Sequence, residues 1–253
     1  MTKVLVTNDD GIDSPGLHAL AGLAVELGLE VLVAAPARES SGASASLGAV
    51  EESGRVVVEP RPIDALPSVQ SLAVRAAPAF IVRSALHGAF GAEPDLVLSG
   101  VNQGPNTGHA VLHSGTVGAA MTAATYGRRS LAVSLAAGGD QWRWATAVAI
   151  ARPVVEWLVQ PGAVTVLNLN VPNTALERVR GLRRAPLASF GAVQTKVTEV
   201  GYGYVHLEYS EVDPTHEPES DAGLLAHNWA CITPLVPLCE GSTIDVNGLE
   251  FVT

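Results

Sequence analysis

The sequence predicts an α/β fold of three layers, with a mainly parallel sheet and a β-hairpin excursion toward the C-terminus. Three observations predict it. Short runs rich in Val and Leu alternate with longer segments that repeat apolar residues at helical spacing. Small polar residues and glycines follow the apolar runs, as they do where strands of an open parallel sheet end. After Pro172 the alternation stops and short β-like stretches take over.

Each element has its own signal. KVLVT (3–7) reads as a fully buried strand. A helix follows at 14–28, with Ser14 as N-cap, Pro15 at the first helical position and Gly28 as the stop. EVLVAA (30–35) is the second strand, which completes a βαβ unit. PARESSGASASLG (36–48) is a loop by composition, and the stretch to about Val74, with GRVVVEPRP, reads as a hairpin. A helix is expected at 78–90, a buried strand at 95–99 and a Gly/Asn/Ser-rich loop at 99–116. A small-residue helix at about 115–126, a strand at 130–136, a helix at 140–159 and a strand at 164–172 complete the pattern. Residues 1–180 thus read as a Rossmann-like catalytic core. Residues 181–253 read as a β-rich extension of the same domain, with an arm suited to assembly and an acidic, Pro-containing tip, EVDPTHEPESD.

Bulk properties narrow the function. The chain has 253 residues, 47% of them hydrophobic, enough for a sizeable core. Its net charge of −10 argues against partnership with nucleic acid or an anionic membrane. A polyanionic substrate needs local positive potential to approach such a chain. No basic leader with an apolar core and no run of about 18 apolar residues is present, so a cytoplasmic protein is expected. Cys231 and Cys239 form no CxxC and read as free thiols.

Chemistry is concentrated at the predicted strand ends. Asn8, Asp9 and Asp10 follow the first strand, Ser40, Ser41 and Ser44 the second, and Ser99, Asn102 and Asn106 the third. Two adjacent carboxylates repel each other and resist desolvation, so a compensating cation is the first expectation. Carboxylate, hydroxyl and amide oxygens are hard ligands that suit Mg²⁺, Mn²⁺ or Ca²⁺, and no His/Cys cluster points to zinc. The long loop ends in His113-Ser114-Gly115-Thr116 and runs straight into a helix. A helix start offers unpaired N–H groups and a positive dipole end, an anion site. His109 and His113 stand out among the seven histidines because they lie in this loop. A metal cradle beside a phosphate cradle is what phosphoester hydrolysis uses. The P-loop, the dinucleotide fingerprint and the G-x-S-x-G elbow are all absent.

Three blocks, VLVTNDDGIDSPG, VAAPARESSGAS and DLVLSGVNQGPNTGHAVLHSGTVGAAM, with NWACITPL as a weaker fourth, resemble the SurE family of survival proteins. The resemblance implies a metal-dependent phosphomonoesterase acting on nucleoside 5′- and 3′-monophosphates, and on short polyphosphate. It implies one Mg²⁺ or Mn²⁺ per subunit held by Asp9, Asp10, Ser41 and Asn102, with phosphate bound at Asn106, Ser114, Gly115 and Thr116. Asn8 matches a family position lining the cleft and joins Asp9 and Asp10 as catalytic residues, Asp9 being the candidate to orient or deprotonate the attacking water. It also implies a homodimer or homotetramer assembled through the C-terminal arm.

Two other readings stay open on the residues themselves. A covalent aspartyl-phosphate enzyme would place D-x-D after the first strand, where this chain has N-D-D-G. A non-catalytic nucleotide-binding or assembly protein could retain the same fold. The chain departs from the family pattern G-T-P-A-D-C, carrying Ala76-Ala77-Pro78-Ala79-Phe80-Ile81 instead. There the polar cap is lost and Phe80 stands in place of a carboxylate.

Overall fold

A computed structural model describes residues 1–138, 141–189, 193–201, 204–211 and 217–238. In chain order the strands are Lys3–Thr7 (β1), Glu30–Pro36 (β2), Glu51–Glu52 (β3), Arg55–Val56 (β4), Val58–Pro60 (β5), Gln70–Val74 (β6), Leu96–Gln103 (β7), Arg129–Leu135 (β8), Val166–Val171 (β9), Leu182–Arg184 (β10), Val193–Gly201 (β11), Tyr204–Glu211 (β12) and Ala230–Leu235 (β13). The helices are Pro15–Glu26 (α1), Pro78–Leu86 (α2), Gly115–Thr125 (α3), Trp144–Val159 (α4) and Asp221–Ala226 (α5).

Nine strands form one sheet in the order β10-β13-β9-β8-β7-β1-β2-β6-β5. The six from β9 to β6 run parallel. Strand β5 pairs antiparallel with β6 at one edge, and β13 pairs antiparallel with β9 toward the other. Alternation along each strand sends side chains to opposite faces. Val4, Val6, Leu96, Leu98, Leu131 and Val133 pack with α1 and α4 on one face. Leu5, Ala34 and Val97 pack with α2 and α3 on the other, and Ala132 and Val166 extend that side against α3. Each fully buried Leu or Val contributes on the order of 1.5–3 kcal/mol, which is why these parallel strands read as continuous apolar runs. The result is the expected three-layer α/β fold, and β11 and β12 pair apart from it as an antiparallel two-stranded ribbon.

Several boundaries differ from the sequence reading for identifiable reasons. The hairpin expected before Val74 is present as β5–β6, but β6 also enters the main sheet parallel to β2, because Leu72 and Val74 reach one core face and Ala73 the other. Ser14 stands at the N-cap position of α1 without a side-chain cap bond, and Pro15 alone marks the start. Ala77 likewise caps α2 with no side-chain hydrogen bond, so this helix forms without the polar cap that the family pattern carries there. Helix α4 begins at Trp144 rather than at 140. The β-rich reading of 181–235 missed α5, which has only six residues and is capped by the Ser220 hydroxyl. Strands β10 and β13 belong to the main sheet. Residues 212–216 of the acidic tip and Cys239 lie outside the described residues. Among the described residues, no helix is long and apolar enough to cross a membrane.

Candidate active site

The chain passes from β1 outward to β2 and β6, then crosses back to β7 on the other side of β1. Strand order therefore reverses between β1 and β7, the place where open α/β sheets bind ligands at the carboxyl ends of their strands. Asp9 and Asp10 follow β1 at this point. A bulge in β7 adds a residue: Ser99 pairs with Ala132 and Asn102 with Ser134, so Gly100 and Val101 together face only Val133. Bulges re-aim the side chains that follow them, here Asn102.

The two aspartates turn to different partners. Asp9 is 4% exposed and lies against the start of α3. The Thr116 hydroxyl donates a short hydrogen bond to Asp9 Oδ1. The main-chain N–H groups of Gly115 and Thr116 also favour its charge, although burial outweighs them and raises its pKa. Gly115 is required by this approach, since a Cβ there would sit 2.8 Å from both Cβ and Oδ2 of Asp9. Asp10 Oδ2 accepts the Gln103 N–H at 3.2 Å. Burial first, and then the charge of Asp9, push the Asp10 carboxyl up to about 6. None of the ion pairs among the described residues involves either aspartate.

Beside Asp10 lies a cavity of about 350 Å³ lined by Asp10, Asp13, Ser14, Glu39, Ser41 and Gln103. The Ser41 hydroxyl donates to Glu39 Oε1 at 2.9 Å, and the neighbouring Ser40 N–H donates to the Asp9 carbonyl at 2.8 Å. Asn102 donates its amide to Gly104 O at 2.8 Å, which turns its carbonyl oxygen away from that bond and leaves it an acceptor. The buried Ser14 hydroxyl has no hydrogen-bond partner among the described residues. Asp9, Asp10, Ser41 and Asn102 carry carboxylate, hydroxyl and amide oxygens, hard donors of the kind that suit a small divalent cation, and Asp10 and Ser41 line one cavity. No group of three or more His, Cys, Asp or Glu that could hold a metal converges among the described residues.

The remaining expected site residues have structural partners. Asn8 closes the loop on Gly11, donating to its carbonyl at 3.0 Å and accepting its N–H at 3.2 Å. Ser114 Oγ accepts the Val117 N–H as the N-cap of α3. Asn106 donates its amide to Ser134 Oγ at 2.8 Å, and its main chain is held by Asn168 and Asn170. His109 and His113 are exposed in a short 3-10 turn, Gly108–His113.

Sequence reasoning missed Gln103, whose contribution is a main-chain N–H and carries no side-chain signal. It also missed Asn168 and Asn170, for which a signal existed: two buried amides inside the apolar strand β9. Asp221 was missed as well. It is fully buried and accepts main-chain N–H groups from Gly108, Ala188 and Ala222 at 2.8–2.9 Å, tying α5 to the loop that precedes α3.

A family model described as "Survival protein SurE" matches residues 4–193. The chain belongs to the SurE family. Among SurE relatives, a protein named 5′-nucleotidase SurE 1 from Burkholderia lata is 37% identical over 92% of this chain and 90% of its own length. A 5′-nucleotidase SurE from Moorella thermoacetica is 34% identical over 92% of this chain and 89% of its own. The solved SurE structure from Aquifex aeolicus superposes with a TM-score of 0.80 at 28% identity, covering 95% of this chain and 96% of that one.

Proposed function

We propose that this chain is a divalent-metal-dependent phosphomonoesterase that hydrolyses nucleoside 5′-monophosphates to nucleoside and phosphate. The observation that carries the reading is the pair Asp9–Asp10 at the switch point, one buried and one half-buried, with no cationic partner among the described residues and with Ser41 lining the same cavity as Asp10. The naming of relatives over nearly the whole chain supports the substrate class.

Asp9, Asp10, Ser41 and Asn102 would hold Mg²⁺ or Mn²⁺, which supplies charge to polarise the phosphoryl oxygens and acidify water. The start of α3 lies beside Asp9, so its Ser114–Thr116 segment would bind the phosphoryl group by donating the Ser114 hydroxyl proton and by sharing with it the Gly115 and Thr116 donors that now face Asp9. Asn106 holds the loop that delivers this segment. Water attacks phosphorus in line; its oxygen–phosphorus bond forms as the ester bond to the nucleoside oxygen breaks. The Asp9 carboxylate, held by Thr116, takes the proton from water, and the departing nucleoside oxygen takes a proton from solvent to leave as the alcohol. Asn8 acts by fixing the Asp9–Asp10 turn. The same site would take 3′-monophosphates and short polyphosphate, whose terminal groups present the same oxygens. The reading carries with it a cytoplasmic location and a homodimer or homotetramer built through the C-terminal region.

The test is phosphate release from 5′- and 3′-nucleotides with Mg²⁺, Mn²⁺ or EDTA. Release that needs metal and disappears in Asp10→Asn supports the reading. Release that persists in EDTA, or none with any metal while nucleotides still bind, overturns it.

A further inference from the structure

Two indole rings stand at the same edge of the sheet as the aspartates. Trp142 and Trp144 are stacked, with centroids 5.5 Å apart and planes 16° from parallel. Trp144 packs onto the core, but Trp142 remains 37% exposed, so one face of the pair is open. Trp142 thus offers one open ring face at this edge of the sheet, apolar surface that a flat ligand can cover.

A short chain of contacts links the pair to the cavity. A Cβ on Gly16 would lie 2.9 Å from Cζ3 of Trp144 and 2.1 Å from the Val101 carbonyl, so these three residues meet with no space to spare. Val101 directly precedes Asn102, and Gly16 lies two residues after Ser14 in the cavity wall. The segment carrying Trp142 leaves the end of β8 beside Gly104, whose N–H donates to the Leu135 carbonyl. Asn173 then pins that segment. It donates to the carbonyls of Gly138 and Gln141 and accepts the Arg143 N–H at 3.0 Å. The main chain on both sides of Trp142, at Gln141 and Arg143, is therefore tied to Asn173.

We infer that Trp142 is the surface on which the base of a nucleotide stacks while its phosphate lies at the aspartates. This rests on the nucleotidase reading above and extends it to the leaving group. Stacking uses the π-face that every base has, so the platform selects nucleotides over base-free phosphate esters with little choice among bases. Neither the cavity beside Asp10 nor the larger one of about 700 Å³, lined by Arg38, Ser40, Val50, Arg75 and Ala77 among others, has an aromatic ring in its wall, so a stacking ring must come from beyond both walls.

The experiment compares kcat/KM for AMP and ribose 5-phosphate in wild type, Trp142→Ala, Trp142→Tyr and Ala77→Leu. Saturation-transfer NMR of adenosine in EDTA runs alongside as a readout free of metal and turnover. In Trp142→Ala the AMP to ribose 5-phosphate ratio should fall about tenfold, toward the low end of what a base–aromatic stack supplies, and Trp142→Tyr should restore it. Transfer to the adenine protons should be lost in the Ala variant only. An unchanged ratio in Trp142→Ala, or a split that follows Ala77→Leu instead, overturns the inference. If wild type hydrolyses neither ester, the nucleotidase reading fails on its own, and the adenosine signal still decides whether Trp142 holds a base.

Discussion

Asp9 and Asp221 are both buried aspartates at the start of a helix, and burial raises the pKa of each. Their surroundings differ in kind. Asp221 takes three main-chain N–H groups, from Gly108, Ala188 and Ala222. Asp9 takes the Thr116 hydroxyl and the helix start, but its neighbour Asp10 faces an open cavity with a single main-chain donor. A buried carboxylate saturated by the backbone is a structural tie. A buried carboxylate next to a half-buried one, like charges with few donors, is what the proposed cation would complete.

The strongest way to break this contrast is to remove Asp10. Asp10→Ala should lower AMP hydrolysis on the order of 10³-fold, the loss expected when electrostatic stabilisation at the reacting group goes. Its thermal midpoint in EDTA should not fall, because a like charge next to Asp9 has been removed. A large drop in that midpoint would place Asp10 with Asp221 as a structural residue. The reciprocal variant, Asp221→Ala, leaves three buried N–H groups without acceptors. It should cost about 3 kcal/mol in denaturant unfolding. Below its melting temperature it should keep kcat within about tenfold of wild type, as expected if the residue only holds the Gly108 loop. A loss of turnover as deep as that of Asp10→Ala would erase the distinction.

The two regions were not equally legible. Strands β1, β2, β7, β8 and β9 stood out because both their faces are buried, which leaves continuous Val/Leu runs. Asp9, Asp10, Ser41 and Asn102 stood out because polar residues directly after such runs fall at the ligand edge. The rest depended on partners distant in sequence. Nothing near Asp221 announces that Gly108, 113 residues away, donates to it. Strand β6 was read as half of a local hairpin because its pairing with β2 is non-local. Helix α5 is too short for a periodicity to emerge. The Ser114–Thr116 helix start was read as an anion site, and a side chain of the chain itself, Asp9, lies against it.

Gly115 sharpens the comparison on the Asp9 side. In Gly115→Ala the new Cβ meets Asp9 at 2.8 Å, so the carboxylate must move. A displacement of about 1 Å at a reacting group costs roughly 10²-fold in rate. Overpacking adds a stability loss of about 1–3 kcal/mol. If turnover survives while stability falls, the helix start supports Asp9 without setting its position.

The smallest effect lies beside Asp221. Cys231 is buried, its Sγ donates to the Asp221 carbonyl at 3.3 Å, and burial together with the Asp221 charge pushes the thiol from 9.0 up to about 12. The thiolate is the reactive form, so Cys231 should resist disulfide reagents at pH 8 in the folded protein and react only on unfolding. A Cys239→Ser variant isolates the measurement by leaving one thiol. The same shift links to stability. The folded state binds this proton more tightly than the unfolded one, so the contribution is complete below pH 9.0 and is lost as pH rises toward about 12. Rapid labelling of folded Cys231 at pH 8 would show that the Asp221 region opens readily. Asp221 would then be an exchangeable contact, and the contrast with Asp9 would rest on donor count alone.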